Sequence, residues 1–209
     1  MILLINNAKP NLADLHYIKY IRNALRKNNI DFIETRKIED LSLKLSTKSK
    51  SIKGIIISGS PLRLSKPLLL EDYGYILHYL LQYPDCPVLG ICFGCQLLAM
   101  LYSGFTLEHQ PKYLCTTQPV LLDNTHPLFD EEKLSQKQKT KTKEIQFCFS
   151  DLIIPNKKIK KTREIAWFNY NNKKMPCGFE FSNHKYGTLF HPEYLEDTHY
   201  ILLNFCSII

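Results

Sequence analysis

The chain has 209 residues, of which 44% are hydrophobic and 11% aromatic, so it can bury a sizeable core and is not intrinsically disordered. Its net charge of +7 is too modest to indicate a dedicated nucleic-acid-binding protein. The seven cysteines are an odd number with little paired spacing, which argues against a disulfide framework and for a reducing, cytoplasmic compartment.

Strands and helices are predicted to alternate through the first half of the chain. Short apolar runs predict strands at 2–5, 31–36, 54–58 and 87–91. Helical periodicity predicts helices over 12–28 and 68–83, and a third helix that begins near Phe93. This alternation is typical of an α/β fold with a mostly parallel sheet flanked by helices, in which ligands bind beyond the carboxyl ends of the strands.

The second half of the chain is predicted to add an antiparallel edge to that sheet. Shorter strands are expected at 116–122, 144–149, 164–170, 177–181 and 186–190. A last helix over 196–206 would complete a single domain that spans residues 1–209.

A lysine-rich region at 133–163 has ten basic residues against Glu144 and Asp151. Such a run can bind nucleic acid or an acidic partner. Because no stacking-aromatic pattern or nucleic-acid motif accompanies it, a solvated loop or hairpin is the favoured interpretation, and nucleic acid is not expected as a partner.

Cys92 lies where the predicted strand 87–91 runs directly into the next helix, in the frame G-x-C-x-G. A sharp turn there would expose the sulfur, and Gly90 and Gly94 would accept the tight backbone. The helix N-terminus favours the thiolate, and the backbone N–H of Phe93 is free to meet a developing oxyanion. These features predict a nucleophilic cysteine.

Two other interpretations of Cys92 remain open at this point. With Cys95 it forms a C-x-x-C, which at a strand-to-helix junction is also typical of a redox pair. Both cysteines could instead be small buried hydrophobic residues.

A base for a thiol nucleophile is predicted late in the chain. His191 follows the apolar strand 186–190 and so also emerges at the carboxyl end of a strand. Residues i and i+2 share a face in extended chain, and Pro192 favours an extended conformation at His191. The carboxylate of Glu193 can therefore lie against the imidazole, fix its tautomer and support its positive charge.

Three blocks of the sequence resemble the class I glutamine amidotransferase (triad glutaminase) family. Residues 90–96, GICFGCQ, are similar to the family's G-x-C-x-G-x-Q signature, and residues 190–193, FHPE, match its F-H-P-E. Residues 54–61, GIIISGSP, are similar to its G-I-I-L-S-G-G-P loop. The blocks occur in the expected order, and the resemblance spans essentially the whole chain.

The resemblance implies a flavodoxin-like fold and hydrolysis of the side-chain amide of glutamine through a γ-glutamyl thioester. When the catalytic roles of the family are carried over to this sequence, Cys92 is the nucleophile, His191 is the general base and acid, and Glu193 is the residue that orients the histidine. The chain has no room for a synthetase domain, so the ammonia would pass to a separate synthetase subunit. No cofactor, metal or membrane is expected.

The resemblance also implies how the substrate is held. The backbone N–H groups of Ser60 and Phe93 would form the oxyanion hole, and Gly59 and Gln96 would help to bind glutamine. Ser60 departs from the family's glycine, and a left-handed backbone at a non-glycine residue costs about 1–2 kcal/mol. We therefore expect this loop to be held out of its active form until a partner binds.

Two further segments depart from the family, which leaves the substrate pocket less defined than the triad. Residues 108–120 lack the aromatic-glycine pair that often contacts the amino-acid end of glutamine. Residues 149–151, FSD, only partly match the S-H-x-D segment of relatives.

Other functions remain open from the sequence alone. A thioredoxin-type redox protein would use Cys92 and Cys95 but would leave Gln96 and the His-Pro-Glu segment without a role. A milder hypothesis is a reversible disulfide between the two cysteines that switches the nucleophile off. The remaining alternatives are a stand-alone hydrolase of γ-glutamyl amides or peptides, and a pseudoenzyme or binding module that keeps the fold.

Overall fold

Strands and helices alternate through the first half of the computed structural model, which describes residues 1–7, 16–36, 51–66, 70–131, 140–154, 162–182 and 184–209. The strands of this half are β1 (Ile2–Ile5), β2 (Phe32–Thr35), β3 (Gly54–Ile57) and β4 (Val88–Ile91). The helices are α1 (His16–Lys27), α2 (Leu70–Gln82) and α3 (Phe93–Ser103). Each agrees with a predicted element, although residues 12–15 and 68–69 of the predicted helices lie outside the described residues.

The second half is dominated by longer strands. These are β5 (Thr106–Asp123), β6 (Thr140–Ile154), β7 (Arg163–Tyr170), β8 (Lys173–Ser182) and β9 (Lys185–Thr188). A short 3-10 turn at Glu196–Thr198 leads into the last helix, α4 (Tyr200–Ser207), where the sequence predicted one continuous helix.

All nine of these strands form one mixed sheet in the order β2-β1-β3-β4-β9-β8-β7-β5-β6. The five strands from β2 to β9 pair in parallel. The remaining pairings are antiparallel. The parallel part has the 2-1-3-4-5 order of flavodoxin-like folds, and the predicted α/β class with an antiparallel edge is confirmed.

The central parallel strands are buried along their whole length. Every residue of β1, β3 and β4 is buried, as expected for strands that helices cover on both faces. Helix α1 contributes Ile18, Ile21 and Leu25, whose spacing forms one apolar stripe and which are all fully buried. The sheet therefore fixes the carboxyl ends of β4 and β9 side by side, where the parallel register pairs Ile91 with Thr188.

The largest difference from the sequence-based expectation is the length of β5. The sequence predicted a strand only over 116–122, but β5 begins at Thr106 and pairs with β6 on both sides of a register shift between His109 and Leu114. Such a bulge lets an irregular segment that contains Pro111 stay within an edge ladder. In the lysine-rich region, residues 140–154 form β6, while 132–139 and 155–161 lie outside the described residues. No helix in the described part of the chain is long and apolar enough to cross a bilayer.

Candidate active site

Cys92 occupies a strained turn between β4 and α3. Its backbone has φ 52° and ψ −104°, a conformation that costs a non-glycine residue on the order of 1–2 kcal/mol. Two hydrogen bonds hold it there: the Cys92 N–H donates to the Thr188 carbonyl at 2.8 Å, and the Cys92 carbonyl accepts from the Gln96 N–H at 2.9 Å. The predicted sharp turn at the end of β4 is therefore present.

The two flanking glycines are required by close packing. A Cβ atom at Gly90 would lie 2.5 Å from the Gly94 carbonyl, and one at Gly94 would lie 2.4 Å from the Ile57 carbonyl oxygen. The first turn of α3 thus packs directly on β3 and β4, which holds the helix N-terminus behind the Cys92 sulfur.

His191 lies beside this turn because β9 runs parallel to β4 and ends at the same edge of the sheet. The His191 N–H donates to the Gln146 carbonyl of β6 at 2.8 Å, so the histidine backbone is fixed by a second strand. A Cβ atom added to Gly59 would lie 3.2 Å from His191 Cε1 and 3.6 Å from Cys92 Cβ. The ends of β3, β4 and β9 therefore meet at one point.

Glu193 contacts the imidazole of His191 as the i and i+2 spacing predicted. Nδ1 of His191 lies 2.7 Å from Oε1 of Glu193, and Glu193 is completely buried. Two further contacts fix the backbone of residues 192–193. Thr198 Oγ1 donates to the Pro192 carbonyl, and His199 Nε2 lies 2.8 Å from the Glu193 carbonyl oxygen.

The charge balance of this cluster favours a protonated histidine. Burial alone would lower the pKa of His191, but the Glu193 carboxylate and the neighbouring Cys92 thiol outweigh it and raise that pKa well above its usual 6.5. A cationic imidazole beside a thiol stabilises the thiolate, as an activated cysteine nucleophile requires.

A cavity of about 310 Å³ opens in front of Cys92. Its walls are residues 60–63 of the loop after β3, residues 148–151 of β6, and the side chains of Gln96 and Tyr113. This volume suits a ligand the size of an amino acid. The predicted site residues Ser60, Cys92 and Gln96 thus line one cavity.

Gln96 makes a contact that the sequence did not predict. Its Nε2 donates to the Asp151 carbonyl at 2.8 Å, so this amide group ties α3 to the far wall of the cavity. The Asp151 carboxylate is buried and lies within hydrogen-bond distance of Ser65 Oγ at 2.8 Å and of His109 Nδ1 at 2.9 Å. Asp151 therefore joins the β3 loop, β5 and β6 around the cavity.

Several cavity residues were not among the sequence-based candidates: Arg63, Tyr113, Cys148, Phe149, Ser150 and Asp151. Arg63 comes from the loop after β3, and the others come together through the pairing of β5 with β6, in which His109 faces Asp151 and Cys115 faces Cys148. The partial match of residues 149–151 to the family was the one sequence signal that pointed to this wall.

The loop that carries Ser60 differs from the expected strained form. Ser60 is not among the described residues with positive φ, so the left-handed backbone expected at this position is absent. Instead its hydroxyl donates to the Asn7 carbonyl at 3.0 Å and accepts from the Leu62 N–H at 3.1 Å. The side chain holds the loop against the end of β1, and this replaces strain as the physical effect of the serine.

Cys95 lies in the core. It is fully buried, and burial together with Cys92 and Cys177 raises the pKa of its thiol well above the usual 9.0. A Cβ atom added to Gly187 of β9 would lie 2.6 Å from the Cys95 sulfur. The small thiol thus fills a tight space between α3 and β9.

Two related sequences carry the name of a glutamine-hydrolyzing enzyme. A subunit of the glutamine-hydrolyzing GMP synthase from Methanocaldococcus jannaschii is 29% identical over an alignment of 179 positions, which covers 77% of this chain and 76% of that protein. A glutamine-hydrolyzing GMP synthase from Spiroplasma kunkelii is 33% identical over 82 residues. That match covers 39% of this chain and 15% of the Spiroplasma protein, so this chain spans only a small part of that relative.

A solved structure and a family model extend the likeness to nearly the whole chain. The structure of a protein from Thermoplasma acidophilum, provisionally named as a GMP synthase subunit, has a TM-score of 0.72 at 20% identity and is matched over 99% of this chain and 92% of its own. This likeness shows the same fold. The family model described as glutamine amidotransferase class-I matches residues 11–207. The chain therefore belongs to the class I glutamine amidotransferase family, whose members are cysteine-dependent amidohydrolases.

Proposed function

We propose that this chain hydrolyses the side-chain amide of glutamine with Cys92, His191 and Glu193, and that it supplies the ammonia to a separate synthetase subunit. The observation that carries the proposal is the 2.7 Å contact between His191 and the buried Glu193, beside a cysteine held in a strained strand-to-helix turn. An arrangement with a core cysteine and an exposed histidine would need none of these features.

In the proposed first step, the Cys92 thiolate attacks the γ-carboxamide carbon of glutamine. The N–H of Phe93, at the first turn of α3, stabilises the tetrahedral oxyanion together with the N–H of Ser60. The His191 imidazolium gives its proton to the departing ammonia, and a γ-glutamyl thioester on Cys92 remains.

In the second step, His191 is neutral and can accept a proton from water. The activated water attacks the thioester carbonyl, the Cys92 sulfur leaves, and glutamate is released. Glu193 supports the imidazolium that forms again, because its carboxylate is fixed at Nδ1 and leaves Nε2 directed to the reacting atoms.

A separate acceptor of ammonia is supported by the relatives. The Methanocaldococcus jannaschii relative is named as one subunit of a GMP synthase, and the matched region makes up 76% of it. A protein of this kind would use its product on another polypeptide. We therefore propose a synthetase partner that covers the cavity mouth and receives ammonia there.

The proposal is tested first by labelling with an electrophilic analogue of glutamine. The reduced protein should gain one equivalent, as read from its intact mass, and glutamine should compete with the label. Cys92→Ser should abolish the adduct, whereas Cys86→Ser, which changes a half-buried cysteine in the turn before β4, should leave it unchanged.

The same assay addresses the alternatives. Labelling at a cysteine other than Cys92, or no protection by glutamine, would contradict the proposed site. Turnover of γ-glutamyl peptides by the isolated chain, with no turnover of glutamine, would favour the stand-alone hydrolase. Co-purification of a synthetase that accelerates glutamine hydrolysis would support the partner.

A further inference from the structure

Cys115 and Cys148 face each other across the β5–β6 pair at the edge of the candidate active site. They are register partners, and their sulfur atoms lie 2.6 Å apart. Directly opposed residues of antiparallel strands have Cα atoms about 4.5–5.5 Å apart, which lies within the range that a disulfide bridges. The two sulfurs can therefore bond without a rearrangement of the strands.

The surroundings of the pair favour this chemistry. Cys115 is exposed and Cys148 half-buried, so a small oxidant can reach them. Nε2 of Gln146 lies 3.5 Å from the Cys148 sulfur and 3.7 Å from the Cys115 sulfur. The side-chain amide of Gln146 therefore lies beside both sulfurs.

The same segment of β6 contacts both reacting residues of the proposed triad. The carbonyl of Cys148 accepts a hydrogen bond from the Cys92 thiol at 3.3 Å. The carbonyl of Gln146 accepts from the His191 N–H at 2.8 Å. Any change in the position of residues 146–148 is therefore transmitted to Cys92 and His191.

We propose that Cys115 and Cys148 form a reversible disulfide by exchange with a small-molecule disulfide, and that this bond slows the reaction of Cys92. The effect on glutamine turnover rests on the proposed function, but the disulfide itself does not. The pair differs from the Cys92–Cys95 switch considered from the sequence, because it does not include Cys92 itself and because Cys95 is fully buried against Gly187.

The exchange balances with glutathione disulfide as the oxidant. One protein sulfur attacks the glutathione disulfide bond, and one glutathione leaves as a thiol. The second protein sulfur then attacks the mixed disulfide, the protein S–S bond forms, and the second glutathione leaves. The protein pair loses two electrons and two thiol protons, and one glutathione disulfide becomes two glutathiones.

The consequence for Cys92 follows from the geometry of β6. Formation of the disulfide shortens the distance between the two sulfurs. It also fixes the position of Cys148, which lines the cavity. A displacement of about 1 Å at a reacting group can cost about a hundredfold in rate. We therefore expect Cys92 to react about tenfold or more slowly after oxidation.

The first readout of the test is the covalent bond. Partial desolvation of the sulfur and its contact with the Cys148 thiol raise the pKa of Cys115 to about 11. The raised pKa slows exchange, so oxidised glutathione is used in excess. Peptide mapping of the wild-type protein should yield a linked peptide that contains Cys115 and Cys148, and dithiothreitol should remove the link. Cys115→Ser should give no such link, whereas Cys86→Ser should behave as wild type.

The second readout is the rate at which Cys92 reacts with iodoacetamide, which does not depend on recognition of glutamine. Oxidation should slow this reaction in wild type and in Cys86→Ser but not in Cys115→Ser. Because Cys115 is exposed and lies outside the cavity, its substitution should leave the rate of the reduced protein unchanged. Cys148→Ser provides a second variant that cannot form the bond.

Three results would overturn the inference. They are the absence of the linked peptide, an unchanged Cys92 rate when the link is present, and equal slowing in Cys115→Ser. If the disulfide and the iodoacetamide rates behave as expected but no glutamine analogue labels Cys92, the proposed glutaminase function fails while this inference stands.

Discussion

Nδ1 of His191 lies 2.7 Å from Oε1 of Glu193, and the carboxylate that makes this contact is completely buried. The second oxygen, Oε2, has no hydrogen-bond partner among the described residues. A buried carboxylate without other compensation is costly, so its charge depends on the imidazolium beside it. The protonation of His191 and the charge of Glu193 are therefore one coupled feature of the site.

Glu193→Gln is expected to reduce glutamine hydrolysis by about a hundredfold or more, because the imidazole loses both its fixed tautomer and the charge that supports its cationic form. The loss should appear in kcat more than in KM, measured by glutamate release. Glu196→Gln removes an exposed carboxylate that pairs with Lys27 and is the matched control, with no expected change. Similar losses in both variants would contradict the assigned role.

The stability of the protein is expected to depend on pH through the same pair. The pKa of His191 in the folded protein is raised well above 6.5, so the folded state holds this proton more tightly than the unfolded state. The contribution of the protonated His191 to the free energy of unfolding is fully present below about pH 6.5 and is lost as the pH rises through the pKa of the folded state. The size of the contribution is about 1.4 kcal/mol for each pH unit that separates the folded pKa from the unfolded pKa.

The difference in the free energy of unfolding between wild type and Glu193→Gln, measured by urea denaturation, isolates this contribution. It should be largest near and below pH 6.5 and should shrink as the pH rises. A difference that grows with rising pH would have the wrong sign and would exclude a raised pKa at His191.

Cys95 is expected to act in packing against Gly187. Gly187→Ala should cost about 1–3 kcal/mol of unfolding free energy, because the new methyl group would lie 2.6 Å from the Cys95 sulfur and 2.8 Å from Phe181 Cε2. Cys95→Ala should partly relieve this clash, so the double variant should be more stable than the sum of the single variants predicts, by about 0.5–3 kcal/mol.

A matched control uses Gly54→Ala, whose added methyl group would meet the flexible end of Ile209 rather than Cys95. Its effect should add to that of Cys95→Ala without coupling. Additive behaviour of Gly187→Ala with Cys95→Ala would show that the sulfur is not the limiting contact.

Ser60→Gly is expected to raise the rate of glutamine hydrolysis by the isolated chain. The Ser60 side chain ties the loop to Asn7 and Leu62, and glycine would free the backbone N–H to turn toward the oxyanion. Removing one oxyanion-hole donor typically lowers kcat by about a hundred- to a thousandfold. A gain of about tenfold in kcat is therefore expected if the loop limits the rate.

Ser60→Ala is the informative comparison, since it removes the hydroxyl but keeps Cβ. A gain in both variants would assign the restraint to the hydroxyl bonds, and a gain only with glycine would assign it to the backbone. No gain in either would mean that the loop already has its working form in the isolated chain.

The sequence by itself determined the strands β1 to β4 of the parallel part of the sheet and the spacing of Cys92, His191 and Glu193. The strands 2–5, 54–57 and 88–91 are continuous apolar runs, and burial on both faces leaves few alternatives for them. Cys92 follows such a strand directly, His191 lies three residues after the end of β9, and Glu193 is two residues from His191. These are local relationships, so periodicity and spacing were enough to predict them.

Only the tertiary structure decided the walls of the cavity and the contacts that surround Cys92 and His191. The contacts between His109 and Asp151, Cys115 and Cys148, and Gln146 and His191 all depend on the register of β5 against β6 or on the position of β9. That register changes at the bulge between His109 and Leu114. A shift of one residue there reverses the face of every side chain beyond it, and such non-local pairing leaves no periodic signal in the sequence.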